Sequence, residues 1–330
     1  MRLTALALFC ALHLPLAAQW PERGRSADRL AGYRLAERLD GLIDEGQYRE
    51  ASDVYRSALE RAKPLEYDVE DVLPVGAKLC TEVGALQKAA LLLKRAEALP
   101  GQRATYFVAM LATKRAPLLL SLGDYDGAAQ AAAEAYRPWS TSRTIWVAFR
   151  KSIEAEARLR LGDLPAAEGL VKSALEIAKK LDKLRPFFYA PRVFYAACLV
   201  ESYGTSPGDA EAECRRGIAL AEGTGGVRRD ISLGYLDLAE ARLRASNLPG
   251  AREAALYSLR LTHQMFGRQH QDAVRALQML AQMNLKEGKP EAARSNAEEA
   301  VSTALAVFGD GSLKMAELRR ELAPCLNSPQ

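Results

Sequence analysis

A six-residue phrase that opens on glycine, in one copy on serine, and closes on alanine recurs along the chain, and a chain that repeats itself at a period of tens of residues folds as a stack of like units. The phrase runs from Gly46 to Ala51, Gly84 to Ala89, Gly123 to Ala128, Gly162 to Ala167, Ser246 to Ala251 and Gly288 to Ala293. Glycine ends a helix because it takes a left-handed backbone without a Cβ clash, and the Asp or Pro that often follows starts the next helix. Small residues recur in register with this punctuation, seven positions before each anchor and then five and twelve after it. They are Ala77, Ala89, Ala96; Ala116, Ala128, Ala135; Ala155, Ala167, Ala174; Ala239, Ala251, Ser258; and Ala281, Ala293, Ala300. The first unit gives Leu39, Ala51, Ala58, departing only at its first member. Projecting the register between the fourth and sixth units lands on Cys198, Ala210 and Gly217, all small, and recovers a unit whose turn is Thr205-Ser206-Pro207-Gly208-Asp209. The sequence therefore predicts seven units, each with two helices that would touch at the small residues.

These residues resemble the tetratricopeptide repeat over about residues 28–310. The resemblance implies an all-α, right-handed superhelical α-solenoid of about seven antiparallel helix pairs. Successive anchors lie 38 to 43 residues apart, against a consensus of about 34. This places the chain near the long-repeat branch that includes kinesin light chain. The junction Phe266-Gly267-Arg268-Gln269-His270-Gln271-Asp272 looks like the one that joins repeats there. Residues 311–330 are expected to form a capping helix and tail, with Arg319, Arg320 and Glu321 turned outward. Pro117, inside a predicted first helix, should bend it.

At the amino end Arg2 precedes an apolar run from Leu3 to Leu16 that closes on Ala17 and Ala18. That is the pattern of a secretory signal peptide over residues 1–18, with a short linker at 19–27. The run is shorter than the roughly 20 residues that span a bilayer, so no stable membrane span is expected after its removal. The expected location is periplasmic or extracellular. A net charge of +4 is too weak a basic bias for a dedicated nucleic-acid binder.

Beyond the signal the only histidines are His263 and His270, too few for a catalytic triad or a histidine metal site, and they read as helix-end and loop residues. No phosphate-binding loop, zinc-protease motif or Cys-x-x-Cys occurs. Gly204-Thr205-Ser206-Pro207-Gly208 matches the serine hydrolase elbow in letters. It fails chemically, because the residue after the nucleophile must donate a backbone N–H and Pro207 has none. The sequence predicts no enzyme, cofactor or metal. Cys80, Cys198, Cys214 and Cys325 allow three pairings in an oxidising compartment. The favoured one joins Cys198, at the crossing position of the fifth unit, to Cys214, one turn beyond Ala210. The alternative is that both are small core residues.

In the tetratricopeptide family the first helix of each pair lines a concave surface that holds a partner peptide or helix. The family's offsets, carried onto this sequence, put Asp40, Asp44, Asp71 and Glu82 with Lys78 at the amino end of that surface. Its centre receives Phe149, Leu159, Arg160, Arg192, Tyr195 and Leu199, then Tyr203, Leu233, Leu236, Leu243 and Arg244. The carboxyl end receives Arg275, Gln278, Gln282 and Lys286. The expected gradient is acidic to basic, with aromatic and arginine anchors between. The expected function is an exported, non-catalytic scaffold that binds a protein or peptide partner, one with an acidic end near Arg192 and Arg244. The alternative is a glycan or peptidoglycan ligand on Tyr195 and Tyr203. The oligomeric state is open.

Overall fold

The computed structural model describes residues 27–61, 68–98, 105–182, 189–204, 210–223 and 229–327. These form fifteen α-helices and no strand. The first four pairs are α1 (Ala27–Asp44) with α2 (Tyr48–Arg61), α3 (Asp68–Glu82) with α4 (Leu86–Glu97), α5 (Thr105–Leu122) with α6 (Tyr125–Tyr136), and α7 (Ile145–Arg160) with α8 (Leu164–Asp182). Three more follow: α9 (Ala190–Tyr203) with α10 (Ala210–Gly223), α11 (Arg229–Arg244) with α12 (Leu248–Phe266), and α13 (Gln271–Lys286) with α14 (Pro290–Phe308). A last helix, α15 (Leu313–Leu326), stands where the first helix of an eighth unit would. The helices pack pairwise in chain order as an α-solenoid. The expected signal peptide at residues 1–18 and the 205–209 loop lie outside the described residues.

Local chemistry explains the punctuation. Gly46, Gly84, Gly123, Gly162 and Gly288 all have φ between 70° and 83°, and Ser246, the one non-glycine anchor in this conformation, has φ 60°. The next helix is then capped by a side chain where one is available. Asp124 accepts the Gly127 N–H at 3.0 Å and Asn247 accepts the Gly250 N–H at 3.1 Å. Pro117 lies within α5, which continues to Leu122, and Pro74 and Pro324 sit inside α3 and α15.

The small residues stand where the register put them. Ala89, Ala96, Ala128, Ala135, Ala155, Ala167, Ala174, Cys198, Ala239, Ala251, Ala281, Ala293 and Ala300 are fully buried. Cys198 and Cys214 form a disulfide across α9 and α10, Cα to Cα 5.2 Å, while Cys80 and Cys325 are free and buried. The fifth unit also packs an aromatic ring tightly against two glycines. A Cβ built on Gly217 would meet Tyr195 Cε1 at 2.5 Å, and one on Gly234 would meet it at 2.6 Å. Tyr195 therefore fills a slot between α10 and α11 that only two glycines leave open.

Repeat solenoids ordinarily join only neighbouring units, but this one meets itself again five units on. Tyr48, at the first turn, accepts the Arg229 N–H at the start of α11, 3.4 Å away, and its ring lies 5.1 Å from Phe266. The second turn seats Gly84 against His270 and Gln271 at the start of α13, where Gln271 Nε2 donates to the Thr81 carbonyl at 2.8 Å. The third seats Gly123 against the Lys314 backbone, and Tyr125 donates to Glu317 of α15 at 2.6 Å. Gln87 of α4 donates to the Phe308 carbonyl at 2.9 Å. One apolar cluster runs through this seam and joins Leu79, Leu86 and Leu92 to Val274, Val307, Phe308, Met315 and Leu318. The two ends of the coil share a core.

Ala116 and Ala239 lie at helix crossings with almost no exposed surface. Ala116→Trp or Ala239→Trp should each destabilise the chain by about 1–3 kcal/mol through overpacking, read as a lower urea midpoint. An unchanged midpoint in both would refute the register.

Candidate interaction site

The first helix of each pair faces the inside of the coil, and the repeat sets which residues stand there. Two positions before each anchor come Asp44, Glu82, Ser121, Arg160, Tyr203, Arg244 and Lys286, one per unit. Six positions before it, one helical turn back, come Asp40, Lys78, Pro117, Glu156, Leu199, Glu240 and Gln282. Apart from Leu199, which is buried, the inner face is thus a ladder whose charge changes sign along the chain. Most rungs pair with charges of a nearby unit, and because the coil turns back on itself Glu82 also meets Arg192 and Arg229 across the inside.

Three ionic clusters result. In the first, Lys78 donates to Asp40 at 2.8 Å and to Asp44 at 2.6 Å, Lys114 donates to Asp40 at 2.9 Å, and Tyr189 Oη donates to Asp44 at 3.1 Å. Burial alone would raise the Asp40 carboxyl, but Lys114 and Lys78 outweigh it and hold it below the usual range. Burial prevails at Asp44, which is raised, and at Lys114, whose ammonium is lowered. In the second, Arg229 grips Asp272 with two bonds of 2.8 Å and reaches Glu82 at 3.2 Å, while Arg192 pairs with Asp230 and lies 3.4 Å from Glu82. In the third, Arg160 holds Glu240 through bonds of 2.8 and 3.1 Å, and Arg275 reaches both Glu240 and Asp237 at 2.6 Å. Burial, helped by Glu156 and Glu240 and opposed by Arg275, pushes Asp237 up to about 7.

Residues of the second and third clusters line a cavity of about 1010 Å³ inside the coil. A second space of about 60 Å³ lies beside it, walled by Trp146, Phe149, Tyr189 and the Lys78 cluster, and shares Pro117, Phe149 and Arg192 with the first. Arg244 and Lys286 face the larger cavity and differ from its other cations. No carboxylate among the described residues lies in ion-pair range of either. Arg244 lies over the Tyr203 ring, its Cζ 3.3 Å from the centroid, and donates to the Ser202 carbonyl at 3.1 Å. Both residues are exposed.

Several sequence expectations need correction. Leu199 and Leu236 are fully buried between helices and present no surface to a partner, because the helical face that carries them packs against the neighbouring unit. Tyr195 is a core ring wedged between glycines rather than an open platform. One face of Tyr203 is covered by Arg244, and its hydroxyl donates to Glu240 at 2.8 Å. Phe149 is mostly buried against Tyr189. Arg160, Arg192 and Arg275 face the interior as expected, but their carboxylate partners come from this chain itself. Glu321 turns inward to Gln278 instead of outward. His270 is the residue that sequence reasoning missed. It is fully buried, caps α13 and touches α3, a role visible only once the coil has closed. The Asp71 side chain lies outside the described residues.

No family model matches the sequence, and no curated protein matches it. Solved structures do match the fold. A Rap protein complexed with competence and sporulation factor superposes with a TM-score of 0.65 at 12% identity, covering 89% of this chain and 87% of that one. The signal transduction ATPase with a tetratricopeptide repeat sensor from Pyrococcus horikoshii gives 0.49 at 14% identity, covering 84% of this chain and 43% of that one. The chain has a tetratricopeptide-like helical repeat fold. Among the described residues no helix is long and apolar enough to cross a membrane.

Two tests separate structural charges from available ones. Arg229→Ala, which strands buried Asp272, should cost about 3–5 kcal/mol, whereas exposed Arg244→Ala should stay within about 0.5 kcal/mol of wild type by urea denaturation. Equal losses would contradict the assignment. The folded state keeps a proton on Asp237 that the unfolded chain releases near pH 4. Relative to Asp237→Asn, the wild type should therefore lose stability as pH rises from about 4 through 7, and parallel stability profiles would contradict that.

Proposed function

We propose that the chain is an exported, non-catalytic interaction scaffold, a tetratricopeptide-type solenoid of the long-repeat branch, which holds an acidic segment of a protein partner in its inner cavity. One observation carries the reading. The cavity is lined by charged side chains that answer one another, except at Arg244 and Lys286, where positive charge is left for something else. Fixed charges around a concave site steer and orient a partner of opposite sign. The guanidinium of Arg244 is already ordered by Tyr203 and Ser202, so little side-chain entropy is lost when a carboxylate arrives. Export rests on the Arg2, Leu3–Leu16 and Ala17–Ala18 pattern, and the Cys198–Cys214 bridge is consistent with an oxidising compartment. The peptide in the Rap complex supports peptide binding only by analogy of fold. The aromatic rings that a glycan would need, Tyr195 and Tyr203, are buried or covered, so the protein partner is preferred.

The test is affinity capture from cell-envelope extract with the mature chain, comparing wild type with Arg244→Ala/Lys286→Ala by mass spectrometry. Arg192 is left intact because its loss would disturb the seam. A protein retained by wild type, depleted at least tenfold by the double variant and released by salt is expected. Capture indifferent to the substitutions would remove the cavity lip as the site, and recovery of the chain only in the cytoplasmic fraction would remove export.

A further inference from the structure

The second contact of the seam differs from the other two in that it turns on one imidazole. His270 has no exposed surface. Its Nε2 lies 3.0 Å from the Glu82 carbonyl oxygen at the end of α3, and its Nδ1 lies 3.1 Å from the Asp272 backbone nitrogen in the first turn of α13. A carbonyl can only accept and a backbone N–H can only donate. The ring is thereby fixed as the neutral Nε2–H tautomer, donating to α3 and accepting at the start of α13. Phe266 stacks on it at 4.3 Å with an interplanar angle of 12°. A second ring proton has one place to go, Nδ1, which already faces a donor.

The charged groups around the ring reinforce this. On α13, the Asp272 carboxylate is 3.6 Å from Nδ1, but two hydrogen bonds from Arg229 of α11 already occupy it. On α3, the Glu82 carboxylate is taken up by Arg229 and Arg192. Asp230 pairs with Arg192 of α9, and from α2 Tyr48 packs on the other partner of the stack, Phe266. Of these groups only His270 ordinarily titrates near neutral pH. Arg192, Arg229, Gln271 and Asp272 also line the cavity, so the seam is one of its walls.

We propose that His270 is a proton-operated catch of the coil: adding a proton to its ring releases the turn after α3 from the start of α13 and loosens that wall of the inner cavity. Burial favours the neutral ring, Asp272 opposes this and Arg229 adds to it, and the net effect holds the imidazole below its usual range. The sign follows directly. Above the ordinary histidine value of about 6.5 the ring is neutral in both folded and unfolded chains and the catch is closed. Below it the unfolded or opened chain takes up a proton that the closed seam resists, so closure weakens as pH falls.

The experiment is hydrogen exchange of the full chain, corrected for intrinsic rates, at pH 7.5 and 5.0 in wild type and His270→Gln. Glutamine can present its amide N–H to Glu82 and its amide oxygen to the Asp272 N–H, and it does not titrate. The wild type should lose at least tenfold of its protection in residues 79–85 and 268–274 on acidification, while α7 and α8 keep theirs, and the glutamine variant should show no such change. Wild-type protection that is flat with pH, or an equal loss in the variant, would overturn the proposal. Should the variant fail to fold, ring 15N shifts of wild-type His270 decide. An Nδ1–H tautomer at neutral pH, or ring titration without loss of protection, overturns it, and titration that tracks the loss supports it.

Discussion

The seating of each early turn on the start of the helix five units ahead is the contact on which the rest of this molecule depends. A repeat stack held only by its neighbours is an open spring, and its stability is a sum of short-range terms. Here Tyr48, Gly84 and Gly123 meet the beginnings of α11, α13 and α15, and one apolar cluster spans the join. The seam supplies long-range contacts that a solenoid usually lacks. It also brings first-helix faces from distant units together, and in doing so it makes the cavity.

Closing the coil has an electrostatic consequence. Charges that would be solvated in an open groove are brought within hydrogen-bond distance of one another and away from water. Isolated, each would carry a large desolvation cost; paired, they fix the relative position of the units more than they add net stability. Glu82 illustrates the point, because one carboxylate meets arginines from two different units. The same pairing removes most of the interior from the pool of groups that could grip a partner. Arg244 and Lys286 stand at the edge of this network.

The helices and their crossings were readable from residue spacing, since a small residue at a fixed offset from a left-handed turn has a purely local meaning. The fifth unit is instructive: its turn lacks the usual glycine anchor, yet Cys198, Ala210 and Gly217 kept the register and all are buried. The site was less legible. The offsets placed Arg160, Arg192 and Arg275 on the inner face correctly but were silent about what stands opposite, so bound charges read as free ones. Leu199 and Leu236 read as groove residues because an apolar side chain at an inner offset looks the same whether a partner or the next unit covers it. His270 read as a helix-end or loop residue, and its link to α3 stayed hidden because that partner lies 188 positions away.

What the sequence by itself determined is the repeat: helix ends at left-handed glycines, alanines at the crossings, seven pairs and their order. These follow from backbone sterics and side-chain volume within a window of some forty residues. What only the tertiary structure decided is which charges remain available and which residues meet across the seam. Those depend on the curvature accumulated over five units, a sum of small packing angles that no single repeat encodes, and it is that sum which carries Glu82 to Arg229 and His270 to the end of α3.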